Sequence, residues 1–126
     1  MKSLTKAEEQ IMQILWDLKE GVVKQIVEKF NKPQPAYTTV ATVLKVLEKK
    51  GFAAHKKIGN THLFFPAVSK KEYTKFQFSS LLKDYFNGSF PKMATFFAKE
   101  NNLGIEELEE MLKITEAELN KEQNKK

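Results

Sequence analysis

The chain has 126 residues and 41% apolar side chains, enough for one compact domain of about 70 to 80 residues with a smaller companion. It has no cysteine, which excludes disulfides, cysteine nucleophiles and thiolate metal sites together. The net charge of +5 is unevenly spread: residues 1–98 hold 16 lysines against 8 acids, whereas residues 99–126 hold 5 against 8. That division predicts a basic body that meets polyanions and a separate acidic C-terminal element.

Thr5 and Glu8 stand three apart ahead of an apolar run, the spacing of a capping box, and open the first predicted helix. Ile11, Ile14, Leu15 and Leu18 continue its inner face, Trp16 lies beside that face as a packing residue, and Gly21 is expected to end it. A second helix is expected from about Val22 to Phe30, with Val23, Ile26, Val27 and Phe30 inward. Asn31-Lys32-Pro33-Gln34-Pro35 breaks the chain and re-aims it.

The third predicted helix, YTTVATVLKVLEKK from Tyr37, carries the most information. Val40, Val43, Leu44 and Leu47 form one narrow apolar stripe. The opposite side carries Thr38, Thr42, Lys45 and Lys49 and no carboxylate, since Glu48 lies well off it. Gly51 sits where a left-handed residue is wanted beyond the helix end. Two β-leaning runs follow, Phe52 to Ile58 and Thr61 to Pro66, joined by Gly59-Asn60 in a tight hairpin. The first run carries His55, Lys56 and Lys57. Lysine runs often do no more than solvate a surface; beside a hydroxylated helix face they point instead to nucleic acid.

Helix, helix, turn, helix, hairpin is the order of a winged helix-turn-helix with the third helix in the reading position. The predicted DNA-binding set is Tyr37, Thr38, Thr39, Thr42, Lys45, Lys49, Lys56 and Lys57, with His55 and Asn60 as weaker candidates. Every cationic side chain is lysine, which meets phosphate as a point charge and lacks the planar fork that reads guanine. Base reading must then rest on threonine and tyrosine hydroxyls, methyl contacts to thymine, and DNA shape.

After Pro66 the pattern changes. Lys70 to Phe86 reads as a helix whose Tyr73, Phe76, Phe78, Leu81, Leu82, Tyr85 and Phe86 spread around most of its circumference. Asn87-Gly88-Ser89 breaks it, and a shorter helix follows from about Pro91 to Lys99. The last begins near Gly104 and ends in a polar stretch expected to fray. Six of the ten phenylalanines lie between Phe76 and Phe97, more aromatic surface than three short helices enclose, so burial against a second copy is expected. The alternative is that they fold back on the winged head. The predicted dimerisation set is Tyr73, Phe76, Leu81, Tyr85, Phe86, Phe90, Phe96, Phe97, Leu108, Met111 and Leu112. The expected fold is mainly α (α+β), with a winged-helix DNA-binding domain at 1–68 and a helical dimerisation domain at 69–126.

On these residues the chain resembles the penicillinase-repressor family of bacterial transcriptional regulators over nearly its whole length. LTKAEEQIMQILWDL resembles that family's opening helix, chiefly between Glu9 and Trp16. Thr39, Val40, Thr42, Leu44 and Leu47, followed by Lys49-Lys50-Gly51-Phe52, resemble its reading helix and the start of its wing, and IEELEEML resembles its last dimerisation helix. The resemblance implies a homodimeric repressor on a short inverted-repeat operator of double-stranded DNA rich in TACA/TGTA. It also implies induction through a membrane-bound metalloprotease sensor, with a regulatory cut at the place occupied here by Phe96 and Phe97. Some relatives carry asparagine where this chain has Phe96, and arginine where it has Ala41 and Val46. The cysteine motif of the copper-responsive branch is absent.

Two other classes compete. A winged-helix module that binds protein and not DNA would bury the Thr38 and Thr42 face. An enzyme would need more than His55 and His62, which lie near each other across the predicted hairpin but have no third ligand or orienting acid nearby in sequence, so an inert pair on the wing is expected. No catalytic residue, metal site or cofactor is therefore expected. No apolar stretch approaches the roughly 20 residues of a membrane span and no signal-peptide core is seen, so a cytoplasmic protein without membrane insertion is expected.

Overall fold

The computed structural model describes residues 1–124. Within them the chain divides into two compact units, Met1–Phe78 and one beginning at Ser79.

The first unit is built on α1 (Lys6–Leu18), α2 (Val23–Glu28), α3 (Tyr37–Lys49) and an antiparallel hairpin of β1 (Ala53–Ile58) and β2 (Thr61–Pro66). The first turns of α4 (Lys70–Phe86) complete it. The capping box opens α1 as predicted: the Thr5 hydroxyl accepts from the Glu8 N–H at 3.2 Å, and Glu8 Oε1 accepts from the Thr5 N–H at 2.8 Å. Gly21, however, does not end α1. The left-handed residue is Lys19, with φ of 71°, and its N–H reaches back to the Leu15 carbonyl. Gly21 is buried and bridges Phe64 of β2 through two reciprocal N–H···O bonds of 2.9 Å. A Cβ there would lie 3.2 Å from Leu18 Cδ1 and 3.5 Å from Gln25 Oε1, so the crowding against a larger residue comes from the side chains of α1 and α2. α2 is shorter than the sequence suggests, ending at Glu28.

The core of this unit contains Ile11, Met12, Leu15, Val23, Ile26, Val40, Leu44, Leu47, Phe52, Ala53, Phe64 and Tyr73. Val43, Val27 and Phe30 pack against it half-buried, as does Trp16. Burying one such side chain is worth about 1.5 to 3 kcal/mol relative to leaving it in water. Tyr73 departs from expectation. Sequence reading groups it with the dimerisation residues, but its ring is buried edge-on to Phe52 and its hydroxyl accepts from the Leu4 N–H. The Trp16 indole N–H donates to the Val68 carbonyl at 2.8 Å. These contacts fasten the start of α4 to α1, and Phe76 packs against the same core. The expected division at residue 68 therefore falls earlier in the chain than the end of this unit.

The second unit contains the rest of α4, then α5 (Phe90–Glu100) and α6 (Ile105–Asn124). Asn87 and Gly88 both take positive φ, and the Gly88 N–H bonds the Leu82 carbonyl at 2.8 Å, which stops α4 where the sequence breaks. Ser89 caps α5 through the Lys92 N–H. The polar end of α6, expected to fray, is helical through Asn124. Neither α5 nor α6 has a buried residue. Among the described residues no helix is long and apolar enough to cross a membrane.

Candidate nucleic-acid interface

α3 is helical because its apolar residues recur at 40, 43, 44 and 47, and Gly51 ends it at φ of +84°, a conformation L side chains rarely adopt. Burying that stripe turns the other side outward. At about 100° per residue, Thr38, Thr42, Lys45 and Lys49 fall within one narrow arc, and all four are exposed. Tyr37 and Thr39, at the entry end on either flank of that arc, are exposed too. The eight predicted DNA-binding residues are thus on the surface, six on α3 and Lys56 and Lys57 on β1.

The entry end of α3 is chemically open. α1 is capped by the Thr5 hydroxyl and α4 by the Ser69 hydroxyl at 3.0 Å from the Glu72 N–H, whereas the N-cap of α3 is Ala36, which offers no side-chain acceptor. The first N–H groups of a helix carry partial positive charge, and an anion suits them. Thr42 is more constrained than its sequence implies: its hydroxyl donates to the Thr38 carbonyl at 2.8 Å. What it presents outward is an acceptor lone pair and a methyl group.

Not every lysine near this face is free. Lys50 Nζ lies 2.8 Å from Glu8 Oε1, and the Glu8 side chain is only 6% exposed. Burial raises the Glu8 carboxyl, but the Lys50 ammonium and the bonds from Thr5 outweigh it and hold the group below the usual carboxylate range. Lys56 Nζ lies 3.7 Å from Glu20 with both side chains more than half exposed, a pairing that phosphate would readily displace. Among the described residues, no acid lies within ion-pair distance of Lys45, Lys49 or Lys57.

The wing holds its place by register. Ile58 pairs with Thr61 across Gly59-Asn60, and Gly59 takes φ of +61°, the primed-turn conformation that matches strand twist. Three features go beyond the sequence reading, which places the two histidines near each other but does not give their stacking. Glu48 bonds His55 Nδ1, tying α3 to the wing. The His55 and His62 rings stack at 4.3 Å between centroids and 11° between planes. Val46 on α3 and Ile58 at the wing tip are 40% and 57% exposed, apolar groups on an otherwise polar surface. The cross-strand spacing of the histidines hinted at the stack; nothing in the sequence linked residue 48 to residue 55, or 8 to 50. Among the described residues there is no cluster of three or more His, Cys, Asp or Glu able to hold a metal ion.

In the second unit the predicted dimerisation residues are largely exposed. Leu81, Tyr85, Phe90, Phe96, Phe97, Leu108, Met111 and Leu112 stand at the surface, and Phe86 is half-buried with its ring 5.7 Å from that of Phe96. Ile105, Ile114 and Leu119, outside the predicted set, are exposed with them.

The chain is similar to several known proteins. The penicillinase repressor of Bacillus licheniformis is 25% identical over 119 residues, covering 94% of this chain and 93% of that protein. Among solved structures, a mutant of Lactococcus lactis ZitR aligns over 95% of this chain and 76% of its own, at 19% identity and a TM-score of 0.45. The transcriptional regulator PA4135 aligns over 94% and 78%, at 20% identity and a TM-score of 0.42. The family model described as penicillinase repressor matches residues 4–117. The chain belongs to the penicillinase repressor family.

Proposed function

We propose that this protein is a transcriptional repressor that binds an inverted-repeat DNA operator as a homodimer. The observation that carries the reading is the exposed arc of Thr38, Thr42, Lys45 and Lys49 on a helix with an uncapped N-terminus, beside the lysine-bearing wing. In the proposed complex α3 enters the major groove N-terminus first. Tyr37, Thr38, Thr39 and Thr42 meet base edges and the nearest phosphates, while Lys45, Lys49, Lys56 and Lys57 neutralise phosphates. Thr42 offers thymine a methyl contact, since its proton is committed to Thr38. Phosphate contacts set register and most of the affinity; base contacts discriminate.

Dimerisation through the second unit is the other half of the proposal. Its support is the exposed apolar set on α5 and α6, which has no cover within one chain among the described residues. A second copy buries it and sets two reading helices about one turn of duplex apart, near 34 Å. Phe96 and Phe97, both 55% exposed on α5, are the proposed site of a regulatory cut by a membrane metalloprotease sensor. Cleavage there would divide the dimerisation surface and release DNA.

Titration of duplex DNA across a salt series tests the DNA reading. With about six to eight phosphates neutralised per dimer, log affinity falls with log salt at a slope of roughly −5 to −7. A flat response overturns the footprint.

A further inference from the structure

We infer that His55 and His62 form a phosphate-binding site on the wing, opposed by the Glu48 carboxylate, that fills as the two imidazoles take up protons. The inference rests on the DNA-binding reading and adds to it a ligand class, the phosphodiester, and a chemical control, the proton.

The chain has two histidines in all and no cysteine, and imidazole is the side chain that serves proteins as a proton-responsive group near neutrality. Both are on the same face of one hairpin, near the lysines assigned to phosphate. His55 pairs in register with Phe64 and Lys57 with His62, so His55 and His62 lie diagonally across the ladder with their rings stacked. From α3, the helix packed against β1, the group facing His55 is Glu48, bonded to its Nδ1, with Lys45 one turn earlier on that helix. From β1 itself the charged neighbour is Lys57, directly opposite His62. The His55 and Glu48 side chains are 32% and 28% exposed, so solvent protons reach them.

The charge consequences follow. With both rings neutral the site carries the Glu48 carboxylate alone, an anion on the helix that faces the duplex. Protonating His55 cancels it in place. Protonating His62 then adds a cation beside Lys57. Two stacked imidazolium rings repel, and the repulsion is relieved by two anions: Glu48 on one side and a DNA phosphate on the other. DNA binding therefore draws in the second proton, and by reciprocity the second proton tightens DNA. A purely architectural role, in which Glu48 only braces the wing against α3, makes a different prediction, because removing the Glu48 charge would then weaken binding.

The test uses the full chain and a labelled DNA duplex of arbitrary sequence, about 30 base pairs long, followed by fluorescence anisotropy between about pH 8 and about pH 6. Affinity of the parent rises about tenfold toward the lower pH, and its salt slope steepens by about one to two. His62→Gln, an exposed substitution, and the double variant His55→Gln/His62→Gln reduce the change to within about twofold. Glu48→Gln binds more tightly than the parent at the upper pH and responds less to acid. A parent that binds equally well at both pH values overturns this inference and leaves the DNA reading standing. So does a double variant that keeps the full response, or a Glu48→Gln variant that binds more weakly than the parent. A parent that binds no duplex at either pH, even in low salt, overturns the DNA reading and this inference with it.

Discussion

Between Met1 and Phe78, twelve apolar side chains are buried, and α1, α2, α3, the hairpin and the start of α4 all contribute to one core. Beyond Ser79 none is buried among the described residues, although eleven large apolar side chains from Leu81 to Leu119 are exposed there. Each unit has a helix opened by a side-chain cap, α1 by Thr5 and α5 by Ser89; what differs is whether the apolar faces meet. Short helices are marginal in water without tertiary packing, so the first unit has a core of its own to hold its helices, and under the proposed dimer the second gains its packing from a partner. The comparison teaches that similar helices can close a core in one part of a chain and leave their apolar faces open in another, and the proposed second copy is what would cover the open part.

The sharpest way to break that contrast is to remove core from the head. Leu44 is fully buried, and Leu44→Ala should lower unfolding stability by about 2 to 5 kcal/mol. Chemical denaturation followed by circular dichroism reads it. A loss below about 1 kcal/mol would mean that the head is not the independently packed unit described here. The counterpart in the second unit is Leu112→Glu. Leu112 is 59% exposed, so in a lone chain the change should be nearly neutral, within about 0.5 kcal/mol. In a dimer it buries a charge, and sedimentation should show dissociation shifting to at least about tenfold higher concentration. A parent that sediments as a monomer at micromolar concentration would contradict the proposed partner.

A smaller effect is expected from single phosphate contacts. Lys49→Gln removes one cation per protomer from the exposed arc, with no acid nearby to compensate among the described residues. Affinity should fall about equally on all sequences and the salt slope should become shallower by about two per dimer. A sequence-dependent loss would reassign Lys49 from phosphate to a base.

How much of this was legible in the sequence follows the same division. Local rules found the elements: the Thr5–Glu8 spacing gave the capping box, the 40, 43, 44, 47 stripe gave α3 and its outward face, and Gly59-Asn60 gave the hairpin with its register. Misreadings came where a residue serves a partner distant in sequence. Gly21 looked like a helix stop because glycine commonly is one, but it pairs with Phe64 of β2, and Lys19 takes the left-handed position. Tyr73 looked like one aromatic among many in an all-round apolar helix; its hydroxyl bond to Leu4 and its packing on Phe52 assign it to the head. Lys50 stands outside the predicted DNA-binding set, and only the fold shows that its partner is Glu8. Periodicity reports which side of a helix is buried. It does not report what that side meets.

The Glu8–Lys50 pair offers the mildest test of the head, and its sign is fixed by the direction of the Glu8 shift. Folding lowers this carboxyl below its ordinary value, so the ionised form is the one that the native state favours. The pair's contribution is complete above the ordinary carboxylate range and disappears as pH falls through the lower folded value. Glu8→Gln keeps the shape and can still accept from the Thr5 N–H, so it removes the charge while leaving the capping bond to be made. At neutral pH the variant should be less stable by about 1 kcal/mol, because Lys50 is a quarter exposed and can turn its ammonium to water. On acidification the gap between parent and variant should close, since the parent alone loses this contribution as its carboxylate is protonated. Denaturation midpoints compared at neutral and acidic pH decide it. A gap that persists in acid would assign the effect to packing of the side chain and not to its charge.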